Sequence, residues 1–187
     1  MSRLKPIQFI MKDGRVGLLR SLVPADAAEV LAVARTVFEK CGEYTLTELH
    51  EFTYTVEQEA EIIQKHLEHS DKIMMAPEVD GRLVGLLNFS PGARRRNSHQ
   101  GEFGVSALPE FHGRGLGRIM VEALLKWAAT TPNIETVRLR VHEKNQGAHA
   151  LYLKLGFIEE GREVRGVRFA EGQYDSVISM AFNVKNI

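Results

Sequence analysis

His112-Gly113-Arg114-Gly115-Leu116-Gly117 is the stretch on which the reading of this chain turns. Its three glycines let successive backbone N–H groups converge without interference from Cβ atoms. Apolar residues follow at helical spacing: Leu116, Ile119, Met120, Ala123, Leu124 and Trp127 trace one helix face, and Thr130-Thr131-Pro132 stops it. The positive end of that helix's dipole points at the loop, so an anion, above all a pyrophosphate, fits there. A dinucleotide fingerprint starting at Gly113 needs glycine at position 118, which is Arg118. A P-loop needs Gly-Lys-Ser/Thr, and Gly117 is followed by Arg118-Ile119. Close helix–strand packing is the alternative use for such a glycine turn.

Working outward, the segment 101–108 reads as a strand ended by Pro109, which cannot donate to a ladder. Residues 72–79 and 82–89 flank Asp80-Gly81, a pair suited to the positive φ angles of a tight hairpin. Nearer the start, 15–23 reads as a strand, and Pro24 opens a helix with Val30, Leu31, Ala34, Val37 and Phe38 on one side. Thr55 and Gln58 form a capping-box pair before a second helix that buries Ile62, Ile63 and Leu67. On the other side of the loop, 136–141 alternates as a strand, Asn145 caps a further helix, and Gly156 supplies its stop. Strands over 158–167 and 173–182 close the chain. The order β-α-α-β-β-β-α-β-α-β-β predicts an α/β (α+β) fold, a mixed, mostly antiparallel sheet of six to seven strands flanked by about four helices.

The loop matches the pattern Gln/Arg-x-x-Gly-x-Gly/Ala of the GNAT N-acetyltransferases, with His112 in place of the usual Gln or Arg. Downstream, Asn145-Gln146-Gly147-Ala148-His149-Ala150-Leu151-Tyr152-Leu153-Lys154-Leu155-Gly156-Phe157 resembles that family's Asn-x-x-Ala-x-x-Leu-Tyr-x-x-x-Gly-Phe. The resemblance covers roughly 101–182. It implies one domain over 1–187, in which 1–98 form the acceptor-side half and 99–187 bind acetyl-CoA as cosubstrate. It further implies contacts to the coenzyme from Ala107 and Leu108 at the strand end, from His112, Gly113, Arg114, Gly115, Leu116, Gly117 and Arg118, and from Asn145 and Tyr152. His112 is given no chemical task.

Acetyl transfer to an amine needs a held thioester, an uncharged amine, a stabilised oxyanion and a proton for the departing thiolate. Asn145 and Tyr152 are seven residues apart, close to two turns of a helix at about 3.6 residues per turn, so both face one side. Tyr152 is the catalytic candidate for proton donor, and a core aromatic is its structural alternative. Asn145 serves equally as a plain N-cap. An alkylammonium has a pKa of roughly 10.4, so something must remove a proton before attack. Glu102 is the candidate base, although a register slip of one residue would turn it to the opposite face. Glu143 and His142 follow as weaker choices.

Composition narrows the partners. The 187 residues are 44% hydrophobic and carry 24 basic against 24 acidic side chains, so no overall basic field draws the chain to nucleic acid. Cys41 is the lone cysteine, which excludes an internal disulfide and fits a reducing compartment. No signal peptide and no apolar run approaching the ~20 residues of a membrane span is present, so a cytoplasmic location is expected. Between 39 and 71 nine acidic residues face two basic ones, a formal charge of minus seven. That charge either attracts a cationic small-molecule amine or forms the wet faces of helices. Arg94-Arg95-Arg96 lies about 20 Å from the glycine loop at ~3.3 Å per strand residue, too far to hold the pyrophosphate. Seven scattered histidines offer no metal-ligand spacing, and His66 with His69 reads as a surface pair. No metal is expected, and a homodimer enters only by analogy. An acceptor on a peptide or protein, and a non-catalytic acyl-CoA-binding regulatory module, are the rival readings.

Overall fold

The structure, a computed structural model, describes residues 3–169 and 172–186. In chain order these form β1 (Ile7–Ile10), β2 (Val16–Ser21), α1 (Ala27–Cys41), α2 (Val56–Glu68), β3 (Ile73–Val79), β4 (Arg82–Leu83) and β5 (Gly85–Pro91). They continue through β6 (Gln100–Ala107), α3 (Leu116–Thr130), β7 (Thr136–His142), α4 (Gln146–Lys154), β8 (Ile158–Arg168) and β9 (Tyr174–Asn183). All nine strands of the described residues join one sheet, in the order β1-β2-β3-β5-β6-β7-β9-β8, with β4 on β3.

The expected class is present, with more strands than the six to seven predicted. β1 escapes a burial-based reading because Phe9 is its only buried side chain. It forms because Gly14, at φ 86°, closes a tight turn in which the Met11 and Gly14 amides bond to Arg15 and Met11 carbonyls. β4 arises where the single strand predicted over 82–89 breaks at Val84. The Val84 N–H bonds to Pro77, its carbonyl accepts from Leu108, and the Leu83 N–H turns to the Glu29 carboxylate at 2.8 Å. Asp80 and Gly81 take φ 52° and 74°, as the hairpin reading requires.

Local chemistry sets the helices. Thr55 Oγ1 accepts from the Gln58 amide while Gln58 returns a bond to the Thr55 amide, so α2 starts on a complete capping box. α3 leaves Gly115 at φ 91°, buries Leu116, Met120, Val121, Leu124 and Leu125, and sets Trp127 edge-on to Phe89 of β5 at 5.6 Å. Phe103, Tyr152, Phe157 and Phe182 form a second aromatic group where β6, α4 and β9 meet. No helix among the described residues is long and apolar enough to cross a membrane.

Candidate active site

β6 and β7 are the one parallel pair among the described strands, joined by the α3 crossover, and they stay together only briefly. Their register runs Gln100↔Thr136, Gly101↔Val137 and Glu102↔Arg138, after which the pairing stops although β6 continues to Ala107 and β7 to His142. On its other edge β6 remains fully paired to β5. The Gly92 amide bonds to the Gln100 carbonyl and the Leu108 amide to the Val84 carbonyl. In an antiparallel ladder bonding residues alternate, so positions 100 to 108 of even number spend their backbone groups on β5. The Glu102↔Arg138 pairing still uses the Phe103 N–H, so the Phe103 carbonyl, both backbone groups of Val105 and the Ala107 N–H face the gap that β7 has left. His112 Nε2 bonds to the Ala107 carbonyl at 2.9 Å, which gives the loop imidazole a task that the sequence did not.

The glycine loop forms one wall of a groove of about 540 Å³ at the open end of this gap. Gly113 and Gly115 hold φ 71° and 91°, and a Cβ on Gly113 would meet only open space, so these backbone groups lie bare. Gly117 lets α3 approach α4, since a Cβ there would sit 3.3 Å from Leu151. The loop is tied to the turn between β1 and β2. The Lys12 amide bonds to the Arg114 carbonyl at 3.1 Å, and the Arg114 guanidinium donates to Asp13. Arg15, with help from Arg114, holds the Asp13 carboxyl down at about 2. Lys12, Arg118 and Lys154 bring cationic side chains to the same groove. Exposed backbone donors, a helix N-terminus and three cations form a donor set suited to the phosphates of coenzyme A.

A second cavity of about 240 Å³ lies deeper in the gap, lined by Glu102, Asn145, Tyr152, Arg140, His142 and residues from the loop after α1. Tyr152 is 6% exposed and packed against the Phe103 and Phe157 rings. Its hydroxyl has no hydrogen-bond partner among the described residues, and burial pushes its pKa up to about 12. A purely structural tyrosine in such a place would bond its hydroxyl to a neighbour. Asn145 Oδ1 accepts from the Ala148 amide at 3.1 Å, so it caps α4 and lines both cavities at once.

Glu102 is half exposed and takes a hydrogen bond from Arg140 Nε at 3.3 Å. His142 differs from it in every respect. It is 6% exposed, its Nδ1 lies 3.7 Å from the buried carboxylate of Asp175, and neither ring nitrogen has a hydrogen-bond partner among the described residues. Burial lowers its pKa, against the Asp175 charge and the Glu43 backbone, which favour the charged ring, and with Lys144, which opposes it. Glu143 turns away to Arg162.

The fold thus gathers Ala107, His112, Gly113, Gly115, Leu116, Gly117, Arg118 and Asn145 around the groove, and Glu102, Asn145 and Tyr152 around the inner cavity. Two of the expected residues, Leu108 and Arg114, line neither cavity. Leu108 is buried with its amide bonded to Val84 and its carbonyl to the Phe111 amide, so the free groups are those of Val105, the Phe103 carbonyl and the Ala107 N–H. Arg114 lines neither cavity because its guanidinium is spent on Asp13. Lys12 and Lys154 lie outside the two motifs or between their fixed positions, and only a spare positive charge in the sequence hinted at them. Cys41 edges the groove with its thiol pKa raised by burial and by Glu43, as suits a small hydrophobe. None of the nine acidic residues of 39–71 lines either cavity, and Arg94, Arg95 and Arg96 are exposed away from both. His66, expected at the surface, is half-buried between the Ile62 carbonyl and Ser90 Oγ.

The chain resembles known proteins over these same elements. The model of the acetyltransferase (GNAT) family matches residues 38–157. Spermidine N(1)-acetyltransferase of Escherichia coli (strain K12) is 29% identical over 122 residues, 65% of this chain and 63% of that protein. The matched region therefore spans less than two thirds of that relative. The crystal structure of an acetyltransferase of the GNAT family from Streptococcus pneumoniae superposes with a TM-score of 0.86 at 27% identity, over 89% of this chain and 99% of the other. YncA from Salmonella typhimurium, solved with its cofactor acetyl-CoA, shares the fold with a TM-score of 0.79 at 17% identity, over 91% and 95% of the two chains. Because the family match runs from the end of α1 through the parted strands and the glycine loop to the end of α4, it takes in the elements that build the groove, and the chain belongs to the acetyltransferase (GNAT) family.

Proposed function

We propose that this protein transfers the acetyl group of acetyl-CoA directly to a small primary amine that carries positive charge. The observation that carries this reading is the gap between β6 and β7, which joins the cation-lined groove to a cavity holding a buried, unbonded phenol. In it the coenzyme's phosphates lie on the bare amides of the glycine loop, with Lys12, Arg118 and Lys154 around them. The pantetheine arm takes the place of the missing strand and bonds to the free backbone groups of β6. A backbone N–H in this row polarises the thioester carbonyl. Asn145 adds its side-chain N–H groups.

Tyr152 gives its proton to the departing thiolate. A phenol whose pKa is pushed up to about 12 stays protonated at every working pH, which a donor must do. Glu102 is the carboxylate that lines the inner cavity, and it draws an ammonium group towards the thioester. The acidic segment 39–71 contributes only a long-range field, since its side chains lie outside the cavity. The spermidine acetyltransferase relative supports a cationic acceptor.

An amine panel tests this. Thiol release from acetyl-CoA is measured with spermidine and with neutral amino acid amides, each at two ionic strengths. The expected result is a preference for spermidine that weakens as salt rises. A preference for neutral acceptors overturns the cationic substrate, and no release with any amine overturns the reading as a whole.

A further inference from the structure

We infer that His142, faced by Asp175, is the base that takes the proton from the acceptor amine; this rests on the acetyl-transfer reading above. The placement follows from strand alternation. Along β7, Val137, Leu139 and Val141 are buried on one face, which puts Arg138, Arg140 and His142 on the other. Glu102 reaches Arg140, so it shares the His142 side of the sheet, whereas Phe103 points the opposite way and packs on Tyr152. The inner cavity is lined from both sides because the strands have parted there. A proton donor and a proton acceptor therefore meet through the gap from opposite faces. That is the arrangement needed when the thiolate leaves on one side of a carbonyl and the amine arrives on the other.

The imidazole's isolation is the second observation. A buried ring with two unpartnered nitrogens is costly. The groups facing it come from each neighbouring element. β9 supplies Val177, its register partner, and two residues earlier on the same face Asp175, whose Oδ1 and Oδ2 also accept the Ser176 and Lys144 amides. The loop after α1 brings the Glu43 backbone close to the ring. Phe169 covers it at 6.4 Å between ring centres, and Lys144 lies over that same phenyl ring. Glu102 and Arg140 form an exposed pair on the same side. A ring kept neutral by burial, with a lone pair unused and a buried carboxylate behind it, has what a base requires. Glu102, half exposed beside Arg140, suits attracting an ammonium rather than taking its proton.

The step balances as follows. The ammonium of the acceptor gives one proton to the free ring nitrogen of His142, and the resulting imidazolium is opposed by Asp175. The lone pair so released attacks the thioester carbonyl carbon. The C–N bond forms and the C–S bond breaks, its electron pair going to sulfur, which takes the Tyr152 proton. The second proton shed by the nitrogen as the amide forms returns to Tyr152, and His142 discharges to solvent. The products are the acetylated amine, the coenzyme A thiol and one proton.

The test is the pH dependence of kcat/KM for the best amine of the panel, in wild-type protein and in His142→Gln, Asp175→Asn and Glu102→Gln. Wild-type protein should show an acidic limb. His142→Gln should lose that limb and about a hundredfold or more in turnover, with KM for acetyl-CoA within about threefold. Asp175→Asn should move the limb to lower pH, because the imidazolium loses its counter-charge. Glu102→Gln should raise KM for a cationic amine and leave the limb in place. A reading that needs no variant is the NMR titration of the His142 ring in wild-type protein, whose midpoint should coincide with the kinetic limb. Activity that survives His142→Gln with its acidic limb, or a ring midpoint more than about one pH unit from that limb, overturns the inference alone. Wild-type protein inert towards every amine overturns the acetyl-transfer reading and this inference with it.

Discussion

The phenol of Tyr152 combines two properties that a core residue would not need, a hydroxyl without a partner and a pKa pushed up to about 12 by burial. Removing that hydroxyl should lower turnover by about a hundredfold, in the range of general-acid effects, with acetyl-CoA affinity within about twofold of wild type. Single-turnover thiol release and a binding titration measure the two separately, and an unchanged chemical step would remove Tyr152 from the mechanism. The same burial predicts a stability effect of definite sign. Below pH 10 the phenol is protonated in both folded and unfolded chains, so nothing is lost. Between pH 10 and about 12 the unfolded chain ionises and the folded one does not, so stability falls as pH rises, by up to roughly 3 kcal/mol. Other groups titrate there too, so the quantity to measure is the difference between wild type and Tyr152→Phe in urea melts at pH 8 and pH 11. The variant should lose less stability across that interval.

Among the elements, the parted pair β6 and β7 and the loop that opens α3 decide what the sheet can hold. Gly101 sits in the short paired stretch, and a Cβ there would fall 2.4 Å from the Phe89 ring and 2.5 Å from the Ser90 carbonyl. Gly101→Val should therefore destabilise the fold by about 1–3 kcal/mol, read as a lower urea midpoint at constant m-value. Gly115 holds φ 91° at the start of α3. Gly115→Ala strains that backbone by roughly 1–2 kcal/mol and should weaken acetyl-CoA binding about tenfold while helix content by circular dichroism stays unchanged. These elements also mark where sequence reading works. α2, α3, α4 and the Asp80-Gly81 hairpin were legible because each carries its own caps, stops and periodicity. β1 was not, since Phe9 alone of its four residues is buried. The point at which β6 leaves β7 has no local signature either, because it depends on which backbone groups β5 has already used. That Leu108 spends its backbone groups on Val84 and Phe111 was hidden for that reason, and His142 could not be singled out until the packing showed its nitrogens unmet.

At the scale of the whole molecule, one sheet joins both halves of the chain, and its most consequential seam is the gap between β6 and β7. Contacts across distant sequence hold the rim of that seam: the β1–β2 turn through Lys12 and Asp13, the glycine loop through Arg114, and α4 through Gly117 and Leu151. A coenzyme seated there would bridge strands that otherwise share only three register positions, so its binding should act on stability well beyond the groove. At about one hundred times its Kd, a ligand that binds only the folded chain adds roughly 2.7 kcal/mol. For a chain of this size that corresponds to a rise in Tm of about 5–10 °C. Asp13→Asn frees Arg114 and loosens the loop, so at the same acetyl-CoA concentration its rise should be clearly smaller. His142→Gln, which leaves the groove intact, should match wild type. Amide hydrogen exchange locates the effect: with acetyl-CoA bound, the Val105 and Ala107 amides should slow together, while the even-numbered residues of β6, already bonded to β5, and Phe103, bonded to β7, change little. Slowing confined to the glycine loop would mean that the gap does not receive the coenzyme's arm.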